Sequence, residues 1–174
     1  FQPVVSLDRR HHGVGVHSYE ALARRVEGDV RAPIAALQMA YAWGDRFIIE
    51  RDALLATKAI HSYAAADARA PWDGTKPVSG NVAVRSLLSD AYVARLRTAL
   101  SDADLDPRTL TLEISEQDPI RPAPDETWPQ EPLAYFHKRL TALSRDLDIS
   151  FAVEDFVVGN SSVARKAQLP LPQI

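Results

Sequence analysis

Five oxygen-bearing side chains, Glu20, Asn81, Glu113, Glu154 and Asp155, fall at or near the ends of four separated stretches that read as short strands, just before the chain turns. The stretches are the run ending at 19–22 and the segments 77–82, 109–114 and 149–156. Carboxylates and an amide are the ligands of a hard divalent cation such as magnesium or manganese, which prefers oxygen donors in octahedral geometry. Glu154 and Asp155 are adjacent, and a sharp turn after their strand would let both side chains reach the rim and contact two ions. Two ions about 4 Å apart activate a water and stabilise the leaving oxygen of a phosphodiester.

Such a site needs elements that bring distant residues to one edge. Strand and helix alternate through most of the chain, and that order builds a parallel sheet whose ligands gather at the carboxyl ends of the strands. The pattern predicts a strand over 1–7, a polar turn over 8–13 and a returning strand over 14–22, so that the first pair is antiparallel. A loop is expected at 27–33, then an Ala-rich, weakly amphipathic segment over 34–43. The helix expected over 45–67 places Phe47, Ile48, Leu54, Leu55, Ala59 and Tyr63 on one face, with Glu50, Arg51, Asp52 and Lys58 in the gaps. A strand over 78–82 precedes a helix over 89–100, capped by Ser89, with Tyr92, Val93, Leu96 and Leu100 on its inner face. A strand over 110–114 follows. Residues 119–132 carry five of the twelve prolines and no periodicity, which predicts an irregular loop. A helix over 133–147 aligns Phe136, Leu140, Leu143 and Leu147, a strand covers 149–153, and a turn at 159–162 leads to a short helix from about 163. Five strands make about half of a barrel-like repeat.

Composition narrows the function. A chain of 174 residues, 46% hydrophobic, buries a real core and most simply forms one domain. A net charge of −3 and no basic tract give a long nucleic acid nothing to grip. The absence of cysteine excludes disulfides, thiolate metal sites and a cysteine nucleophile, and fits a cytoplasmic location. No apolar run approaches the about 20 residues that span a bilayer. The opening Phe1-Gln2-Pro3 reads as the start of an excerpt from a longer polypeptide.

The same residues carry a resemblance. Gln2-Pro3-Val4-Val5, followed by Tyr19-Glu20-Ala21-Leu22-Ala23-Arg24, resembles the opening of an EAL domain, the cyclic-di-GMP phosphodiesterase family. Asn81-Val82-Ala83-Val84-Arg85-Ser86-Leu87-Leu88 is similar to that family's Val-Asn-(Leu/Val)-Ser segment, and Leu112-Glu113-Ile114-Ser115-Glu116 to its Leu-Glu-Ile-Thr-Glu strand. Glu154-Asp155-Phe156-Val157-Val158-Gly159-Asn160-Ser161-Ser162 resembles its Asp-Asp-Phe-Gly-Thr-Gly-Tyr-Ser-Ser loop. The four matches fall in family order and cover essentially the whole chain.

The resemblance implies an α/β fold of the TIM type, a (β/α)8 barrel with an antiparallel first strand, of which residues 1–174 form a partial domain with about the first five strands. It implies that Glu20, Asn81 and Glu113 hold one Mg²⁺ or Mn²⁺ ion, that Asp155 holds a second, and that Glu154 stands where the family has an acid bridging both. It implies that Gln2 and Arg24 contact the nucleotide, a guanidinium being able to bond a phosphate through two parallel donors. The family's catalytic lysine would lie after Ile174, so none of the residues here is expected to be that group. Homodimers, or other domains of a longer signalling protein, are the implied protein partners.

Five departures bear on activity. Glu154 replaces the bridging aspartate, and its extra methylene moves the carboxylate by about 1 Å in a site that tolerates about 0.5 Å. Val157-Val158 replaces Gly-Thr, Asn160 a tyrosine, Arg25 a tryptophan and Ser18 a glycine. They favour an EAL-type cyclic-di-GMP signalling domain that is catalytically impaired and acts by binding nucleotide or a partner protein. Retention of Glu20, Asn81, Glu113, Asp155 and Arg24 supports the alternative, an active Mg/Mn-dependent phosphodiesterase producing pGpG. A third reading is an interaction scaffold that binds no nucleotide.

Overall fold

The computed structural model describes residues 1–8, 13–27, 29–69, 75–115, 118–123 and 125–154. Five strands form one sheet in the order β1 (Gln2–Asp8), β2 (Gly13–Ala21), β5 (Val78–Val82), β6 (Leu110–Ser115), β7 (Ser150–Glu154). β1 and β2 pair antiparallel, whereas β2–β5, β5–β6 and β6–β7 are parallel. Each parallel strand lies beside its predecessor in this sheet, the order of a TIM-type barrel. The expected α/β architecture, with its antiparallel opening pair, is present.

Between the strands run α1 (Ile34–Trp43), α2 (Asp45–Asp67), the four-residue α3 (Val84–Leu87), α4 (Asp90–Asp102) and α5 (Pro132–Leu147). Gly44 separates α1 from α2 with φ at +86°, a backbone state that a side chain would strain. Ser89 caps α4 by accepting from the Tyr92 amide at 3.5 Å. The Glu131 carboxylate accepts from the Leu133 and Ala134 amides at the start of α5, and left-handed Asp148 ends that helix.

Period two divides the sheet. Val78, Val82, Leu110, Leu112, Ile114 and Phe151 point to one face and are buried. Onto that face pack Tyr92, Val93, Leu96 and Leu100 of α4 and Phe136, Leu140, Leu143 and Leu147 of α5, the stripes that their spacing predicted. Helix α2 departs from expectation. Its buried residues are Ile48, Asp52, Ala53, Ile60 and Tyr63, while Leu54 is 55% exposed. The face is rotated because Asp52 has partners inside. Its Oδ2 accepts from the Ala83 amide at 3.0 Å and from the Ser86 hydroxyl at 2.7 Å.

The stretch expected as a loop at 27–33 contains half of a small hairpin, β3 (Arg25–Glu27) paired antiparallel with β4 (Asp29–Arg31). Strands of three residues are too short for an alternation to declare itself. The proline-rich segment stays irregular but is anchored: Trp128 stacks on Tyr135 at 4.5 Å, and Glu126 takes two bonds from the Arg85 guanidinium. The turn expected at 159–162 and the helix from 163 lie outside the described residues. Among the described residues, no helix is long and apolar enough to cross a membrane.

Candidate functional site

The face opposite the apolar core carries the polar residues. Register sets the row Gln2, Glu20, Ser79, Thr111 and Ser150 across all five strands. Two residues further along comes the row Asn81, Glu113 and Ala152, and two beyond that Ser115 beside Glu154. Residues paired in register, or two apart on a strand, share a face. Gln2, Glu20, Asn81 and Glu113 are thereby brought to one side at the carboxyl edge, and the backbone position of Glu154 belongs to the same side. Because β1 runs against the others, its first residues rather than its last lie at this edge.

Arg24 follows β2 and is exposed; its Nη1 donates to the Ala23 carbonyl at 2.9 Å. Asp155 and the segment 156–162 lie outside the described residues.

Glu113 has the most unusual surroundings. Its Oε2 is buried with no hydrogen-bond partner. Burial pushes its pKa above the ordinary value; the neighbouring Ser79 hydroxyl works against this, and the negative charge of Glu20 adds to it. A buried oxygen without a hydrogen-bond partner, within the field of a second carboxylate, is what a cation would satisfy. Among the described residues, no three acids or histidines gather into a ligand cluster. What the sheet brings together is a pair of acids and an amide.

The sign of that shift sets a pH dependence. A carboxyl raised by folding holds its proton above the ordinary value of 4.5 in the native chain but not in the unfolded one. Its contribution is complete below that value and is lost as pH climbs through the folded pKa. Thermal melts without divalent ions should therefore show the melting temperature falling over this interval, and Glu113→Gln should flatten the fall. Superimposable profiles for the two proteins would mean that Glu113 titrates as in a free chain.

The turn after Asn81 is held by groups that motif reading passed over. Besides Asp52, the buried Asp118 accepts from the Val84 amide at 3.0 Å. Arg139 of α5 donates to the Leu87 carbonyl at 3.1 Å and to Asp90 at 2.7 Å. The only sequence signal for Asp52 was an acid at a position in phase with Ile48, Ile60 and Tyr63 on a helix with an otherwise apolar inner face.

Comparison with known proteins adds to this geometry. The family model for the EAL domain matches residues 1–174. Among solved structures, a complex of the PaMucR phosphodiesterase with c-di-GMP superimposes with a TM-score of 0.67 at 21% identity, covering 90% of this chain and 58% of that one. The FimX EAL domain from Pseudomonas aeruginosa bound to c-di-GMP gives 0.67 at 21% identity, covering 98% of this chain and 61% of that one. The FimX EAL domain of Xanthomonas citri in complex with c-diGMP gives 0.68 at 17% identity, covering 90% and 56%. The chain thus spans less than two thirds of each of these structures, and at such identities the likeness is one of fold. No curated protein sequence matches the chain.

Proposed function

The chain belongs to the EAL domain family, and we propose that residues 1–174 belong to a cyclic-di-GMP recognition domain that binds the nucleotide through a divalent cation and hydrolyses it poorly. The observation that carries this reading is the buried, unpartnered Oε2 of Glu113 beside the charge of Glu20, at the carboxyl edge of the sheet. Those donors fit Mg²⁺ or Mn²⁺, which bind oxygen. Glu20, Asn81 and Glu113 would hold one ion, with Glu154 and Asp155 serving a second. When bound, the ions supply Lewis-acid polarisation of the phosphodiester.

The remaining roles belong to the chain's own residues. Arg24, exposed just past the end of β2, offers the nucleotide phosphate two parallel donors. Gln2, in register with Glu20, offers an amide to the same side. Glu154 is the reason to expect weak turnover: a longer acid at the bridging position displaces the carboxylate from a geometry that a shorter one satisfies.

The test uses the full-length protein with cyclic-di-GMP and Mn²⁺, measuring nucleotide affinity and pGpG release. Ion-dependent binding with little product is expected, and Glu154→Asp should raise product formation about tenfold or more while leaving affinity near its starting value. Turnover on the order of 1 s⁻¹ or faster would reject impairment and establish the active phosphodiesterase. Absence of nucleotide binding with and without Mn²⁺ would end the proposal altogether.

A further inference from the structure

We propose that Asp52 and Asp118 are positioning residues that lock the end of β5 to its neighbours and thereby set Asn81 against Glu113. The inference rests on the cation-binding reading of that pair. The ladder between β5 and β6 ends at the pair Val82–Ile114. One residue further on, the sheet hydrogen bonds stop and the carboxylates take over. Asp52 reaches Ala83 from α2, and Asp118 reaches Val84 from the segment after β6.

Both acids are buried, at 4% and 8% exposure. Burying a carboxylate is costly unless it is fully bonded. Asp52 meets that condition through Ala83, Ser86 and the Arg51 guanidinium, whose nitrogens lie 2.6 and 2.8 Å from Oδ1. The amide of Asp118 donates to the Ser115 carbonyl at 3.2 Å, which ties this acid to the end of the strand bearing Glu113. A path of bonds therefore runs from Glu113 along β6 to Asp118, across to Val84, and back along β5 to Asn81.

Plain capping of the short α3 is the competing account. It would call only for a polar side chain at Ala83 itself, the first position before the helix, and the chain has none there. The caps come instead from 31 residues before and 34 residues after the amides they serve. Capping of that kind fixes the strand end relative to two other elements, which a local cap does not do.

The experiment measures Mn²⁺ binding by calorimetry on the full-length protein, together with hydrogen exchange at the Ala83 and Val84 amides without metal. Asp118→Ala should speed exchange at Val84 and weaken Mn²⁺ about tenfold, in line with groups that orient a ligand from behind. Asp118→Asn, which keeps an acceptor, should restore most of the affinity. In an Asn81→Ala background the Asp118→Ala change should cost little more, because the residue it positions is gone. Full additivity with Asn81→Ala, or unchanged Mn²⁺ affinity in a folded Asp118→Ala protein, would overturn the inference. Should Asp118→Ala fail to fold, Ser86→Ala removes one bond from Asp52 and must give the same non-additive pattern, or the inference falls. Failure of the unaltered protein to bind Mn²⁺ would instead remove the cation reading on which it rests.

Discussion

Without divalent ions, Glu113→Gln is expected to stabilise the protein by about 1 kcal/mol, and in excess Mn²⁺ to forfeit nearly all of the stabilisation that the ion confers. The two halves have one cause. Glu113 places a buried oxygen without a partner beside the charge of Glu20. An unsatisfied buried polar group costs about 1–3 kcal/mol, and part of that is recovered when the neutral amide removes the repulsion and offers a donor to Glu20. For a chain of this length, 1 kcal/mol is about 2–4 °C in melting temperature. The ion acts oppositely. At a free concentration about 100-fold above its dissociation constant it adds about 2.7 kcal/mol to the native state, on the order of 5–10 °C, and glutamine is a poor replacement for the carboxylate. Melts of both proteins, with chelator and with Mn²⁺, should therefore cross. Parallel shifts of the two proteins on adding Mn²⁺ would sink the assignment of Glu113 as a ligand.

Phe136→Ala should cost about 3–5 kcal/mol, the range for an aromatic lost from a packed core. Phe136 is fully buried on the inner face of α5 with Leu140 and Leu143. Domains have only about 5–15 kcal/mol of total stability, so this one change consumes a large part of it. The melting temperature should drop by about 6–20 °C, whereas Phe136→Leu should lose less than half as much. The effect reaches the site through the chain: α5 leads into β7, and the Ser144 hydroxyl donates to the Ile149 carbonyl at 2.8 Å just before that strand. Circular dichroism melts read the stability. A loss below about 1 kcal/mol would show that the region relaxes to fill the cavity.

Phe136, Leu140, Leu143 and Leu147 announce their helix because each repeats at three or four residues and each is apolar; nothing competes with the signal. The same holds for β6, whose Leu110, Leu112 and Ile114 alternate with Thr111, Glu113 and Ser115. Glu20, Asn81 and Glu113 were legible for a different reason: strand ends in a parallel sheet converge, so their positions in the chain imply a common edge. Asp52 was not legible. An acid on a helix is ordinarily solvated, and only knowledge that Ala83 and Ser86 lie opposite turns it into an interior residue. Asp118 sits in a polar stretch with no period at all, so its reach to Val84 depends on tertiary placement alone. The shared side of Gln2 and Glu20 needed the antiparallel register, which shifts between Val4 and Val5 and leaves no mark in composition.

That reversed first strand has a kinetic consequence. The β1–β2 ribbon joins neighbours across a short connection, so its pairing can close on the microsecond scale of hairpins. The contact between β2 and β5 spans α1 and α2 and has to wait for a much longer loop to close. Gln2 and Glu20 should accordingly come together early on the route to the native state, with Asn81 and Glu113 joining them only when the parallel strands dock. Half of the polar edge is then a nearly local object, and the other half is assembled late.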